Sequence, residues 1–138
     1  MIKALEVTTE GKVGIINLLP DTQLEQVQKA VGGLVQAIGL DDELTMWVNE
    51  EGKILKLPHN LFAQHLWDNT FGKDTDYIVG NMVLTGGTDS EGETMSLSDK
   101  QVLAFSLLFG AMRTKKQSEV DKTDIVEQLL NAINEAKI

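Results

Sequence analysis

The sequence contains no cysteine. A disulfide framework, a zinc–thiolate site, an iron–sulfur cluster and a thiol nucleophile are thereby excluded. Cations are scarce as well, with 12 Lys and Arg against 21 Asp and Glu, a formal charge of −9. Such a surplus repels a phosphate backbone, so direct nucleic-acid binding is not expected. No apolar run approaches the ~18 residues of a membrane span. The opening Met1-Ile2-Lys3-Ala4-Leu5-Glu6 also meets charge too soon for a signal peptide, and the expected location is the cytoplasm. Neither Gly-x-Ser-x-Gly nor Gly-x-Gly-x-x-Gly occurs, so a nucleophile elbow and a dinucleotide fingerprint are missing. Of the aromatics, 5% of the chain, Trp47 and Trp67 are candidates for a binding surface, although a core also needs side chains of that size.

What remains is ordinary globular material: 42% hydrophobic and 24% charged residues in 138. A chain of this length buries roughly two thirds of its unfolded surface, enough for one core. Ile2 to Thr8 and Val13 to Leu18 are β-branched, apolar runs around Thr9-Glu10-Gly11-Lys12, which predicts a hairpin. Pro20 ends it, and Thr22 with Glu25 forms a capping-box pattern. Leu24, Val27, Val31, Leu34, Val35 and Ile38 then follow at spacings of three and four, predicting one helix that runs through Gly32-Gly33 and closes at Gly39. Glu43 to Asn49 and Lys53 to Leu57 predict a second pair of strands around Glu50-Glu51-Gly52, stopped by Pro58.

Asn60 is placed to cap a helix reaching about Trp67. Tyr77 to Thr85 reads as a strand with a bulge or close contact at Gly80. Ser98 with Gln101 opens a helix through Met112 whose apolar residues cover nearly every side, so it is expected to be the most buried one. From Ser118 or Asp121 onward, Ile125, Leu129, Ala132, Ile133 and Ala136 predict an amphipathic helix, packed on its own domain or on a partner. Val7-to-Val13 and Val48-to-Ile54 share Glu-Gly-Lys at a constant offset; a common hairpin turn explains this more simply than a duplicated unit does.

Few side chains gather in patterns that carry chemistry. His59 and His65 are six apart, on different faces of a continuous helix, unlike the same-face pair that ligates a metal. Asp89, Glu91 and Glu93 alternate in a Gly-rich loop, but without the spacing and terminal bidentate Glu of a calcium loop. An exposed hairpin with solvated carboxylates is the expectation there. No catalytic residue, metal or cofactor is expected.

One longer pattern links several of these segments. Val48-Asn49-Glu50-Glu51-Gly52-Lys53, Leu57-Pro58-His59-Asn60, Asp76-Tyr77-Ile78-Val79-Gly80-Asn81, Asp89-Ser90-Glu91-Gly92-Glu93 and Leu97-Ser98 follow one another in order. Together they resemble a family of small proteins of unknown function encoded by phages, plasmids and other mobile elements. The resemblance covers about residues 1 to 112 and implies a mobile-element accessory protein, with no catalytic residues to carry over.

The resulting expectation is an α+β fold: a mainly antiparallel sheet of hairpins with helices on one face, plus a C-terminal amphipathic helix. Residues 1–112 would form one domain and 113–138 a linker and helix. The expected function is non-enzymatic: binding and inhibiting or modulating a host protein, with an anti-CRISPR-like or other counter-defence component as one instance. The alternative is an oligomeric small-ligand or nucleotide-sequestering protein. Candidate binding residues are Asp89, Glu91, Glu93, Trp47, Trp67, Ile125, Leu129 and Ile133, and a homo-oligomer would form through the C-terminal helix.

Overall fold

A computed structural model describes residues 1–115 and Ile133, arranged in two compact units, Met1–Leu97 and Ser98–Ile138. In the first unit, strands β1 (Ile2–Val7) and β2 (Val13–Leu18) form the expected hairpin, with Gly11 at a positive φ of 89°. Helix α1 (Gln23–Val31) follows, then β3 (Val35–Asp41) and β4 (Leu44–Asn49), α2 (Leu61–Phe71) and β5 (Met82–Thr85). The sheet order is β2-β1-β5-β4-β3, antiparallel throughout, so the late strand β5 enters between two sequence-local hairpins. The α+β architecture with an antiparallel sheet is as expected.

Alternation along the strands sorts the core into two rows. Ala4, Leu18 and Val83 pack with Val27 and Val31 of α1, and Trp47 and Val35 lie against this cluster. Leu5, Val7, Met46, Met82 and Leu84 occupy the opposite row and are fully buried. On that side Trp67 of α2 lies beside Gln36, Ile38 and Val48.

Several expectations are corrected here. The long helix ends at Val31, because Gly32 adopts the left-handed φ of 84° and Gly32 and Gly33 both donate to Gln28 O. Leu34 lies just beyond it, and Val35 and Ile38 belong to strand β3 together with Gly39. The short stretch Lys53 to Leu57 is no strand: Leu55 N donates to Glu51 O and Leu57 N to Gly52 O, a tight coil in which Lys56 takes a positive φ of 56°. With its hairpin partner gone, β4 pairs with β3 and β5. The Glu-Gly-Lys coincidence is therefore a hairpin turn in one place and a coil in the other, not a repeated unit.

The capping box at Thr22 does not form either. Gln26 takes over that region: its Oε1 accepts from Leu19 N at 2.7 Å and its Nε2 donates to Asn17 O at 3.1 Å. The β5 strand begins at Met82, and Gly80, at φ 83°, sits where a Cβ would come within 2.9 Å of Leu57 Cδ1. Asn60 caps α2 as expected, its Oδ1 accepting from Ala63 N at 3.0 Å.

The second unit begins with helix α3 (Asp99–Lys115). Its capping box closes as predicted: Gln101 N donates to Ser98 Oγ at 3.0 Å and Ser98 N to Gln101 Oε1 at 2.9 Å. Phe105, Leu108 and Phe109 are fully buried, with the two rings stacked at 5.9 Å, whereas Leu103 and Leu107 are exposed rather than buried. The expected helix from residue 118 or 121 onward, with Ile125 and Leu129, lies outside the described residues; Ile133 is helical and buried.

Candidate functional site

Antiparallel pairing brings distant segments to the two ends of the first unit's sheet. At one end lie the β1–β2 turn, the last turn of α1, the coil after β4 and the start of β5. Three asparagines bind these together. Asn60, fully buried, donates from Nδ2 to Gly80 O at 2.9 Å and to Val7 O at 3.3 Å while capping α2. Asn49 donates to Val31 O at 3.1 Å and accepts from Glu51 N at 2.8 Å. Asn81 accepts from Thr9 N at 3.1 Å and donates to Ala30 O at 3.4 Å. Two of them thus satisfy carbonyls that the end of α1 leaves open, a role that needs a side-chain donor.

A cleft of about 420 Å³ opens over this stitching, lined among others by Thr8, Thr9, Lys12, Lys29, Pro58 and Asn81. It offers two cations, two hydroxyl side chains and an amide, together with the Glu10 carboxylate, which lies 3.9 Å from Lys12 Nζ. A smaller depression on the opposite row holds Lys53, Asp76, Tyr77 and Trp67. Lys53 pairs with Asp76 and stands 4.5 Å from the Tyr77 ring centroid. The hydrogen bond from Lys53 holds the Asp76 carboxyl below its ordinary range. Gln64 fixes the segment by accepting from Ile78 N at 2.8 Å and from His59, whose ring nitrogen lies 2.8 Å away. His59 is thereby a local structural residue.

The other end of the sheet gathers carboxylates. Asp21 and Glu25 stand at the start of α1, Asp41, Asp42 and Glu43 in the β3–β4 turn, and Asp89, Glu91 and Glu93 in the hairpin after β5; all are exposed. Two contacts draw these segments together. A Cβ on Gly87 would sit 2.0 Å from Asp42 O, so the hairpin lies directly on the turn, and Gln23 Nε2 donates to Thr94 Oγ1 at 2.7 Å. Residues 1–97 contain 15 of the 21 carboxylates and 6 of the 12 cations, so the whole charge of −9 belongs to them.

Beside these carboxylates is a depression of about 390 Å³ bounded by Pro20, Asp21, Leu24, Glu25 and Trp47. Trp47 is half-buried, its indole N–H donating to Thr85 Oγ1 at 2.8 Å, and Leu24 is 56% exposed. The structure therefore joins Trp47 to one wall of the acidic end and leaves Trp67 elsewhere, on α2. Asp89 is consumed locally, its Oδ1 accepting from Glu91 N and Glu93 N at 2.9 Å, which shapes the turn. Of the tail candidates, Ile133 is buried, and Ile125 and Leu129 lie outside the described residues. Asp21, Leu24, Glu25 and the Asp41–Glu43 turn were not among the candidates; Gly32-Gly33 followed by the alternation Val35-x-Ala37-x-Gly39 was the signal for a strand that would have placed them.

Among the described residues, no group of three His, Asp or Glu side chains is placed to hold a metal ion, and no helix is long and apolar enough to cross a membrane. Fold and site together define a small α+β protein with one stitched and one acidic sheet end. The chain belongs to the family described as Domain of unknown function (DUF3846), whose model matches residues 2–110. No curated protein and no solved structure matches it.

Proposed function

We propose that the protein is a non-enzymatic accessory factor of a phage or other mobile element, acting in the host cytoplasm by binding a host protein and inhibiting or modulating it, with counter-defence as one instance. The observation that carries this reading is the convergence of carboxylates from three separate segments beside the exposed Leu24 and the half-buried Trp47. Concentrating like charge costs the native state some stability and rewards association with a cationic partner, which it also steers. The mobile-element setting rests on the motif resemblance. The test is affinity capture from host lysate with the full chain. A partner retained by the native chain should be released by salt and lost on replacing Asp41, Asp42 and Glu43 with amides. Equal retention by both chains, or no specific protein at all, removes the reading.

The cleft at the stitched end favours a second reading, a binder of small ligands with anionic and hydrogen-bonding groups such as nucleotides, because Lys29, Thr8 and Thr9 line it beside the Lys12–Glu10 pair. A native-state ligand raises the unfolding temperature. A flat thermal response to saturating linear and cyclic nucleotides sets that reading aside.

A further inference from the structure

The sheet has two edge strands, and among the described residues only one of them has part of its outward backbone covered by a side chain. In β2, the bond from Thr8 N to Lys12 O sets the ladder alternation, so Val13, Ile15 and Asn17 turn their backbone groups outward. Gln26 occupies part of that edge, its amide taking Asn17 O and Leu19 N as a neighbouring peptide group would. In β3, the bond from Glu50 N to Leu34 O sets the same alternation, and Val35, Ala37 and Gly39 face outward. No hydrogen bond among the described residues covers those groups. The strand carries no charge before Asp41 and no proline. Natural edges of this kind are ordinarily blunted by charge, proline or a covering segment.

The side chains beside this edge add a floor. Ala37 lies directly opposite Trp47 on the same row, and a Cβ on Gly39 would meet nothing within 4 Å. A side chain from a strand added outside β3 could therefore lean over these two small residues toward the indole, about 10 Å away across two strand spacings. One end of the groove is acidic, with Asp41, Asp42 and Glu43 at the turn and Asp21 and Glu25 beyond Trp47.

We infer that β3 is a β-augmentation site that accepts an extended, lysine- or arginine-bearing segment of a protein partner as a sixth strand. Backbone groups of Val35, Ala37 and Gly39 pair with it, an apolar side chain covers Ala37 and Gly39 toward Trp47, and its cations meet the acidic turn. This deepens the proposed function and rests on it for the partner's being a host protein; the charge of the groove selects a basic segment over an acidic one.

The test uses the full chain and a capped peptide of alternating valine and threonine with lysines at both ends. Binding should shift Trp47 emission and protect the amides of Ala37 and Gly39, but not those of Val13 and Ile15, from hydrogen exchange. Ala37→Pro removes an outward donor without breaking the ladder to β4 and should weaken binding at least about tenfold. Gly39→Val, which fills open space in a strand conformation, should do likewise in a chain of undiminished stability. Ile15→Pro on the other edge should leave binding unchanged. The inference is overturned by protection at β2, by equal binding of a glutamate-flanked peptide, or by no protection at saturating peptide. Protection that grows with protein concentration alone would assign the edge to a second copy and overturn it too. A captured host protein still held by Ala37→Pro would sink the edge as its site while leaving the proposed function standing. Peptide binding at β3 without any captured host protein would do the reverse.

Discussion

At one end of the sheet Asn49, Asn60 and Asn81 use their amides on neighbouring backbone, and at the other end the polar residues are exposed carboxylates. The three asparagines close the motif segments Val48-Asn49, Leu57-to-Asn60 and Gly80-Asn81. Those segments, which carry the resemblance, are therefore turns and stitches of the fold. A side chain engaged with its own backbone has little left to offer another molecule. The acidic end is built differently: close glycine contacts hold it, Asp41 and Asp89 each accept from backbone of their own turn, and its carboxylates lie at the surface. The difference separates side chains that hold this fold together from carboxylates gathered at its surface, and it can be broken from either side.

The largest effect should come from the stitched end. Asn60→Ala removes a helix cap and two buried amide bonds at once, stranding Ala63 N, leaving Gly80 O without its amide donor, and taking from Val7 O a bond additional to its place in the ladder. A loss of about 3 kcal/mol is expected, read from the urea midpoint at unchanged slope. A loss near zero would mean that the asparagines do not hold this end together.

Gly87→Ala tests the other end by the same measurement. The added methyl would meet the Asp42 carbonyl, backbone against backbone, so the hairpin must lift off the turn. The cost is about 2 kcal/mol. Because the lift separates the carboxylate-bearing segments, partner capture should fall along with stability. Stability lost with capture intact would show that the hairpin's carboxylates are not part of the binding surface.

Neutralising exposed carboxylates should move stability the opposite way. Asp42→Asn combined with Glu91→Gln relieves repulsion between the turn and the hairpin and should stabilise by about 1 kcal/mol at low ionic strength, a gain that salt erases. If the pair destabilises the protein, the acidic end is structural and the contrast between the two ends collapses.

Much of the stitched end was legible in the sequence. Asn60 as a cap and Gly80 as a close contact need only local rules, and so does the first hairpin around Gly11. What failed was period: Val31, Leu34, Val35 and Ile38 satisfy a helical spacing, yet Gly32 takes a left-handed φ and ends the helix. A helix read through that boundary leaves no room for β3 and gives β4 the wrong partner in Lys53 to Leu57. The acidic end could not be assembled, because it depends on β5 inserting between two hairpins, a non-local pairing that no short spacing records. Asp89, Glu91 and Glu93 were visible as a loop; their neighbours Asp41 to Glu43 and Asp21 with Glu25 were visible only as scattered charge.

The smallest effect sharpens the comparison at a carboxylate outside the acidic end, one paired with a lysine. Asp76 is paired with Lys53, whose hydrogen bond lowers its pKa in the folded chain. The unfolded chain therefore protonates it first, so the pair's contribution is complete above the ordinary aspartate pKa and fades as the pH falls through the lower folded value. Both side chains are substantially exposed, at 44% and 34%, so solvent screening holds the contribution to about 0.5 kcal/mol or less. Asp76→Asn keeps an oxygen for Tyr77 N, and Lys53 keeps its place over the Tyr77 ring, which limits the loss further. The unfolding temperatures of native chain and variant should differ slightly at neutral pH and converge in acid and in high salt. A difference that persists in acid would trace to packing around Asp76 rather than to its charge. The carboxylates of the acidic end would then be the better place to look for charge effects on stability.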